Sequence, residues 1–268
     1  MTIRNIVCSA LIFIPLFSCA QKPSHKRTRS SIDTLAFTWH YLSTEDDSCK
    51  NCDYTILDYP LFLNEPKLND TLKQIMLPFL NLTDENKDYE NIDTLFKQFA
   101  GGGKPLNDVD STDSANSLTP MTNELHIKKL RETPNLITLE LINDESGGVH
   151  PNESTTYINW DKKRHRNIIL DDIFVKNYSS RLNNIGEKIF RQDGDLSKTA
   201  SLAENGYNFD GDQFALNDNF AITDTGLHFY YNSYEIAPYM RGPTNVDIPF
   251  SKIKSLIKKN SIISQYIK

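Results

Sequence analysis

The stretch from Asn123 to Asn143 constrains the fold class more than any other part of the chain. NELHIKKLRE is amphipathic. LITLELI then sets Leu136, Thr138 and Glu140 against Ile137, Leu139 and Leu141, the period-two alternation of a strand. Thr133-Pro134-Asn135 lies between them and supplies turn chemistry. Two strand runs joined by so short a turn form an antiparallel pair.

The same reading extends along the chain. Apolar and aromatic runs predict strands over 34–42, 53–63, 155–161 and 245–249, with Tyr157 and Asn159 on one face of the third. Residues 214–223 and 226–231 read as a hairpin about Asp224-Thr225. Pro60 marks its strand as an edge or a bulge. Leu68, Leu72, Ile75, Met76 and Phe79 fall on one face of a helix opened by Pro66. Further helices are expected over 90–99, over 177–192 with Gly194 as the stop, and over 252–259 behind a Ser251 cap. Strands outnumber helices, and hairpins outnumber strand-helix-strand units. The expected class is α+β, an antiparallel β-sheet with packed helices.

The N-terminus reads as a targeting segment. Arg4 precedes an apolar run from Ile6 to Phe17, at about 12 residues too short to cross a bilayer as a helix. Leu16-Phe17-Ser18-Cys19 is similar to a bacterial lipobox, with Phe where a small residue is more usual. That resemblance implies a signal peptide over 1–18, cleavage before Cys19 and lipidation there, hence a membrane anchor in the cell envelope. Residues 19–33 then read as a polar, basic tether. Lys22, Lys26, Arg27 and Arg29 are free either to touch anionic headgroups or to remain solvated. Beyond the tether the basic residues are scattered, and the formal net charge of the whole chain is -6, so no nucleic-acid footprint is present.

Cys49 and Cys52 precede a strand rather than a helix. In an oxidising compartment they read as a local disulfide, not as a redox site. Gly101-Gly102-Gly103-Lys104 lacks the spacing and the Ser/Thr of a phosphate loop. His126, His150, His165 and His228 are too widely spaced for a zinc pattern, so no metal or other cofactor is expected. DGDL at 193–196 and FDGDQ at 209–213 read as turns rather than calcium loops. Asp171-Asp172 could serve as a carboxylate pair or cap a turn. Tyr230, Tyr231, Tyr234 and Tyr239 crowd together near Glu235, as core packing or as a recognition surface.

One loop stands out. GGVHPN, residues 147–152, places two glycines before His150, Pro151 and Asn152. Glycine admits positive φ and proline fixes the exit into the next strand, so the loop is first a connector. His150 and Asn152 remain candidate ligand contacts, with Tyr157, Tyr231, Tyr234 and Glu235.

Taken in order, Gly147-Gly148-Val149-His150-Pro151-Asn152, Leu170-Asp171-Asp172-Ile173-Phe174, Gly226-Leu227-His228-Phe229-Tyr230 and Tyr234-Glu235-Ile236-Ala237-Pro238-Tyr239 resemble an extracellular region shared by two groups. One is the RsiV type of anti-sigma factor, whose outer domain binds lysozyme. The other is the PdaC type of peptidoglycan deacetylase, in its non-catalytic part. The resemblance covers about residues 34–258. It implies two consecutive modules forming one compact unit, a PdaC-like module over 34–164 and an RsiV-like module over 165–268. It further implies a non-catalytic binding role toward lysozyme or cell-wall glycan. No transmembrane helix, sigma-binding segment or deacetylase domain accompanies these motifs. The competing expectations are a peptidoglycan-acting enzyme using His150 and nearby carboxylates, and a scaffold of an envelope complex.

Overall fold

The computed structural model describes residues 34–45, 49, 52–80, 92–94, 96, 120–147 and 151–267. The signal and tether over 1–33, with Cys19, lie outside these residues. So do the glycine-rich loop over 100–119 and Gly148 to His150. Among the described residues no helix is long and apolar enough to cross a membrane.

The fold is α+β with two sheets. A six-stranded sheet has the order β1 (Phe37–Ser43), β2 (Tyr54–Phe62), β3 (Thr122–Glu132), β4 (Leu136–Ser146), β5 (Asn152–Asp161) and β6 (Arg166–Asn167). The 133–135 turn joins β3 to β4 antiparallel, as the alternation predicts. The β2–β3 pair is parallel. Helix α1 (Pro66–Phe79) lies between these two strands in sequence, and such a crossover is what parallel pairing requires. Pro60 lies beyond Asp58, the last β2 residue with a β3 partner, so among the described residues the proline has only β1 paired beside it. Cys49 and Cys52 are joined by a disulfide just ahead of β2.

Helices α2 (Leu170–Ile173) and α3 (Ser179–Asp193) follow the large sheet. A three-stranded antiparallel sheet of β7 (Phe220–Ile222), β8 (Gly226–Tyr231) and β9 (Thr244–Pro249), then α4 (Phe250–Ile253), completes the chain. Three local expectations shift, each for a physical reason. The strand expected over 214–223 shrinks to β7 because Asn217 and Asn219 spend their side chains on backbone carbonyls, notably Tyr230 O at 2.8 and 3.1 Å. The last helix stops early because residues 256–258 pair with residues 173–175, through Val175 N–H to Leu256 O and Lys258 N–H to Ile173 O. It starts at Phe250 behind Pro249, so Ser251 is not its cap. Gly194 ends α3 with φ of -88°, and the left-handed residue is Asp195 instead.

Two apolar clusters lie on either side of the β4–β5 pair. Ile137, Leu139, Leu141, Ile158 and Trp160 join Leu57 of β2 and Leu68, Leu72 and Met76 of α1. Leu136 faces the other way, toward Phe190 of α3, Phe229 and Tyr231 of β8, and Phe250 of α4. Each fully buried large side chain contributes about 2 kcal/mol. Exposed ion pairs contribute far less, so these clusters carry the fold.

Candidate functional site

The seam between the two sheets is polar. β6 pairs only with Trp160 and Asp161, which leaves the rest of the β5 edge without a strand partner among the described residues. Three asparagines cover it instead. Asn232 Oδ1 accepts the Thr155 N–H at 2.7 Å, Asn219 Oδ1 accepts that of Tyr157 at 3.0 Å, and Asn167 Oδ1 accepts that of Asn159 at 3.1 Å. Alternate residues of a strand direct their N–H groups to the same edge, so the three amides stand where a neighbouring strand's carbonyls would be. Asn159 adds an interior contact. Its Nδ2 donates to Phe220 O at 2.7 Å, and its Oδ1 accepts from the Ile222 N–H and the Thr138 hydroxyl.

A cleft of about 400 Å³ opens at this seam. Tyr157, Asn159, Asn167, Asp171, Tyr178 and Asp218 line it with Phe220 and residues 168–170. That volume is within the range of small-ligand sites. Tyr157 donates its hydroxyl to Glu140 at 3.3 Å and packs edge-on against His228 and Tyr230. Burial, then the Glu140 charge, pushes its phenol well above the ordinary range, so it stays a neutral donor. Tyr178 is pushed up to about 12 by burial and by its bond to Asp171. Asp172 turns away from any paired-carboxylate role. It accepts the Ile169 N–H at 3.1 Å at the start of α2, and the Arg166 guanidinium holds it below the usual carboxylate value. The wall therefore offers amides, phenols and carboxylates around an aromatic surface. Such a surface presents partners for hydroxyl and amide groups.

The residues singled out in the sequence do not share one place. Of the candidate ligand contacts Tyr157 lines the cleft, and so does Asp171 of the Asp171-Asp172 pair. Asn152 is exposed at the first position of β5. Tyr231 is 1% exposed, and its hydroxyl donates to Ala215 O at 2.6 Å inside the core. Glu235 accepts from Asn217 Nδ2 at 2.7 Å and from the Asn232 N–H at 2.8 Å, which fixes the turn after β8. Tyr234 is exposed, has φ of 68° and stacks on Tyr239 with centroids 5.4 Å apart, next to an exposed Met240. The tyrosine cluster thus divides between core and surface. His150 lies outside the described residues. Gly147 is a glycine by necessity: φ is 103° and a Cβ there would stand 2.4 Å from Pro120 O.

Sequence reasoning passed over Asn167, Tyr178, Asp218 and Asn219. The one available signal was Asn217-Asp218-Asn219 inside an apolar run, short polar residues that compete with strand formation. It also passed over a row linking β1, β2 and Asp93. Asp93 accepts from His40 Nδ1 at 2.8 Å and from the Tyr59 hydroxyl at 2.6 Å, and His40 Nε2 lies 3.0 Å from Thr38 Oγ1. The row pins β1 and β2 to the helical residues 92–94. Among the described residues no group of three or more His, Cys, Asp or Glu converges to hold a metal ion.

No curated protein matches the chain in sequence. Several solved structures share its fold, among them two of the DUF3298 family. A DUF3298 family member from Bacteroides fragilis superposes with a TM-score of 0.67 at 22% identity, over 88% of this chain and 99% of that one. A DUF3298 family protein from Pseudomonas aeruginosa PAO1 gives 0.62 at 19% identity, over 86% and 98%. The part of the chain running from α2 into α4, residues 171–251, matches the family model DUF3298, a protein of unknown function.

Proposed function

We propose that this protein is a lipid-anchored binding module of the cell envelope, and that the seam cleft takes a peptidoglycan-type glycan without turning it over. The observation that supports the reading is the cleft itself. Tyr157 and Tyr178 offer aromatic surface with phenols that stay protonated, and Asn159, Asn167, Asp171 and Asp218 stand around them. An N-acetylated sugar carries hydroxyls, an amide and an apolar ring face, and that wall matches all three. The lipobox-like segment ending at Cys19 supplies the anchor in this reading. The test is titration of the chain with soluble muropeptides, with product analysis of the same mixtures. Saturable binding without turnover supports the reading. Absence of binding, or release of cleaved or deacetylated sugar, removes it.

A second reading rests on a separate feature. Exposed Tyr234 and Met240, with the half-buried Tyr239 stacked on Tyr234, form an aromatic and thioether surface on a chain of net charge -6. Exposed tyrosines are favoured anchors of protein interfaces, and the charge suits a basic partner such as lysozyme. Loss of lysozyme binding on Tyr234→Ala, with muropeptide binding unchanged, would separate the two surfaces.

A further inference from the structure

The row of hydrogen bonds that ties β1 to Asp93 has an order that packing alone does not require. Thr38 and His40 stand two residues apart on β1, hence on one face of the sheet. His40 Nδ1 lies 2.8 Å from Asp93 Oδ2, and His40 Nε2 lies 3.0 Å from Thr38 Oγ1. A carboxylate has no proton to give, so Nδ1 carries the ring proton and Nε2 is left to accept from the Thr38 hydroxyl. The other carboxylate oxygen accepts from the Tyr59 hydroxyl at 2.6 Å. Tyr59 is the β2 partner of His40, and its ring lies 5.2 Å from the imidazole, centroid to centroid. Burial pushes its phenol far above the ordinary range, so it remains a donor. A hydroxyl, an imidazole and a carboxylate thus stand in one relay, and the carboxylate is itself held in place.

The relay is reachable and has a cavity beside it. Thr38 is exposed and the His40 side chain is 22% exposed, so a substrate and water can meet both. The cavity, of about 170 Å³, is lined by His40 and Tyr59 and by the apolar Leu61, Leu72, Met76 and Ile92. Leu61 is the β2 partner of Thr38, so the cavity begins next to the hydroxyl. Its apolar wall suits a hydrocarbon chain, and its volume, below that of drug-sized ligand sites, limits the chain to a few carbons. Ala36 O accepts the Leu63 N–H, so along β1 the even-numbered residues face β2 and the Trp39 N–H is directed to the outer edge. No strand pairs with that edge among the described residues. The N–H of the residue after a nucleophile is well placed to receive the oxyanion of acyl transfer.

We propose that Thr38, His40 and Asp93 form a second site, one that hydrolyses short-chain acyl esters. Thr38 Oγ1 attacks the ester carbonyl carbon, and its proton passes to His40 Nε2. The bond from that carbon to the alcohol oxygen then breaks, and the alcohol leaves with the proton. The acyl group is now an ester of Thr38. A water gives a proton to His40 while its oxygen attacks the same carbon, and Thr38 Oγ1 leaves and recovers the proton. An ester and a water thereby yield a carboxylic acid and an alcohol. Thr38 and His40 are the catalytic residues; Asp93 positions the imidazole and Tyr59 positions Asp93. The site shares no lining residue with the seam cleft, so it is independent of glycan binding there.

The full chain is assayed with p-nitrophenyl acetate and p-nitrophenyl butyrate, beside Thr38→Ala, Thr38→Ser and Asp93→Asn. Thr38 is exposed, so its substitution leaves the core intact. The expected result is wild-type turnover above the buffer rate, a fall in kcat/KM of at least about a hundredfold in Thr38→Ala, and retained turnover in Thr38→Ser. Asp93→Asn should lower kcat by a similar factor with KM nearly unchanged, because an amide no longer fixes the ring proton on Nδ1. A fluorophosphonate probe, followed by peptide mass spectrometry, should label Thr38. Wild-type turnover at the buffer rate, equal turnover in Thr38→Ala or none in Thr38→Ser overturns the proposal, as does a label on another residue. An unchanged kcat in Asp93→Asn removes Asp93 from the relay.

Discussion

Asn159 donates through Nδ2 to the Phe220 carbonyl at 2.7 Å, across the seam between the two sheets. It is 2% exposed, and its Oδ1 also holds the Ile222 N–H. One amide side chain thereby takes the place of a strand neighbour for β7. Replacing it with leucine of similar size leaves a buried donor and a buried acceptor unpaired. Asn159→Leu is expected to lower stability by about 3 kcal/mol, measured by urea unfolding. A loss under about 0.5 kcal/mol would show that the seam does not depend on this amide.

The three-asparagine cover of β5 makes a site-specific prediction. Asn219→Ala removes the acceptor of the Tyr157 N–H and a donor to Thr155 O. The cost should be about 1 to 2 kcal/mol. Hydrogen exchange should accelerate at Tyr157 more than at Thr155, whose N–H still bonds to Asn232. Uniform acceleration along β5 would mean that the edge opens as one unit.

Gly147 tests the loop that begins GGVHPN. An alanine Cβ would meet Pro120 O at 2.4 Å and the Met121 Cα at 2.6 Å, with φ at 103°. Gly147→Ala should therefore cost more than about 1 kcal/mol, seen as a lowered melting temperature. An unchanged melting temperature would mean the 120–121 strand entry gives way freely.

Glu132 gives the pH dependence. Burial works against its charge, but bonds from Lys129, Lys162 and the Leu35 N–H outweigh it and hold the carboxyl below its ordinary value of 4.5. A folded-state value below the unfolded one means the stabilisation is present above about pH 4.5 and is lost as pH falls through the folded value. Lys162 is only 9% exposed, so the pair is largely shielded from solvent. Glu132→Gln should flatten the stability profile below pH 4.5 and lower stability at pH 7. An identical acid limb in both proteins would assign acid unfolding to other carboxylates.

Much of the scaffold is legible in the residues, because period and turn chemistry are local. Leu136 to Leu141 announces a strand with two distinct faces, and each face proves to meet its own core. Leu68, Leu72 and Met76 announce α1 in the same way. What escapes is whatever depends on a distant partner. Nothing near Asn219 says that its amide will cover a strand more than sixty residues away. Nothing near Ile257 says that Phe174 will draw it out of a helix. The cleft is built of such distant pairings, so of its wall only Tyr157 and Asp171 were singled out for their chemistry from sequence. Tyr231 and Glu235 drew notice for their chemistry, and the core and the turn use that chemistry up.

The central claim is that the seam cleft binds a cell-wall glycan. The most direct measurement is isothermal titration of the full chain with a soluble N-acetylated disaccharide-peptide, repeated on Tyr178→Ala and Asp171→Ala. Both substitutions sit on the cleft wall and outside the asparagine cover. The account predicts saturable binding by the wild type and at least about a tenfold loss in each variant, a change of roughly 1.4 kcal/mol. Binding of equal strength in all three proteins, or no heat of binding in any, would contradict it.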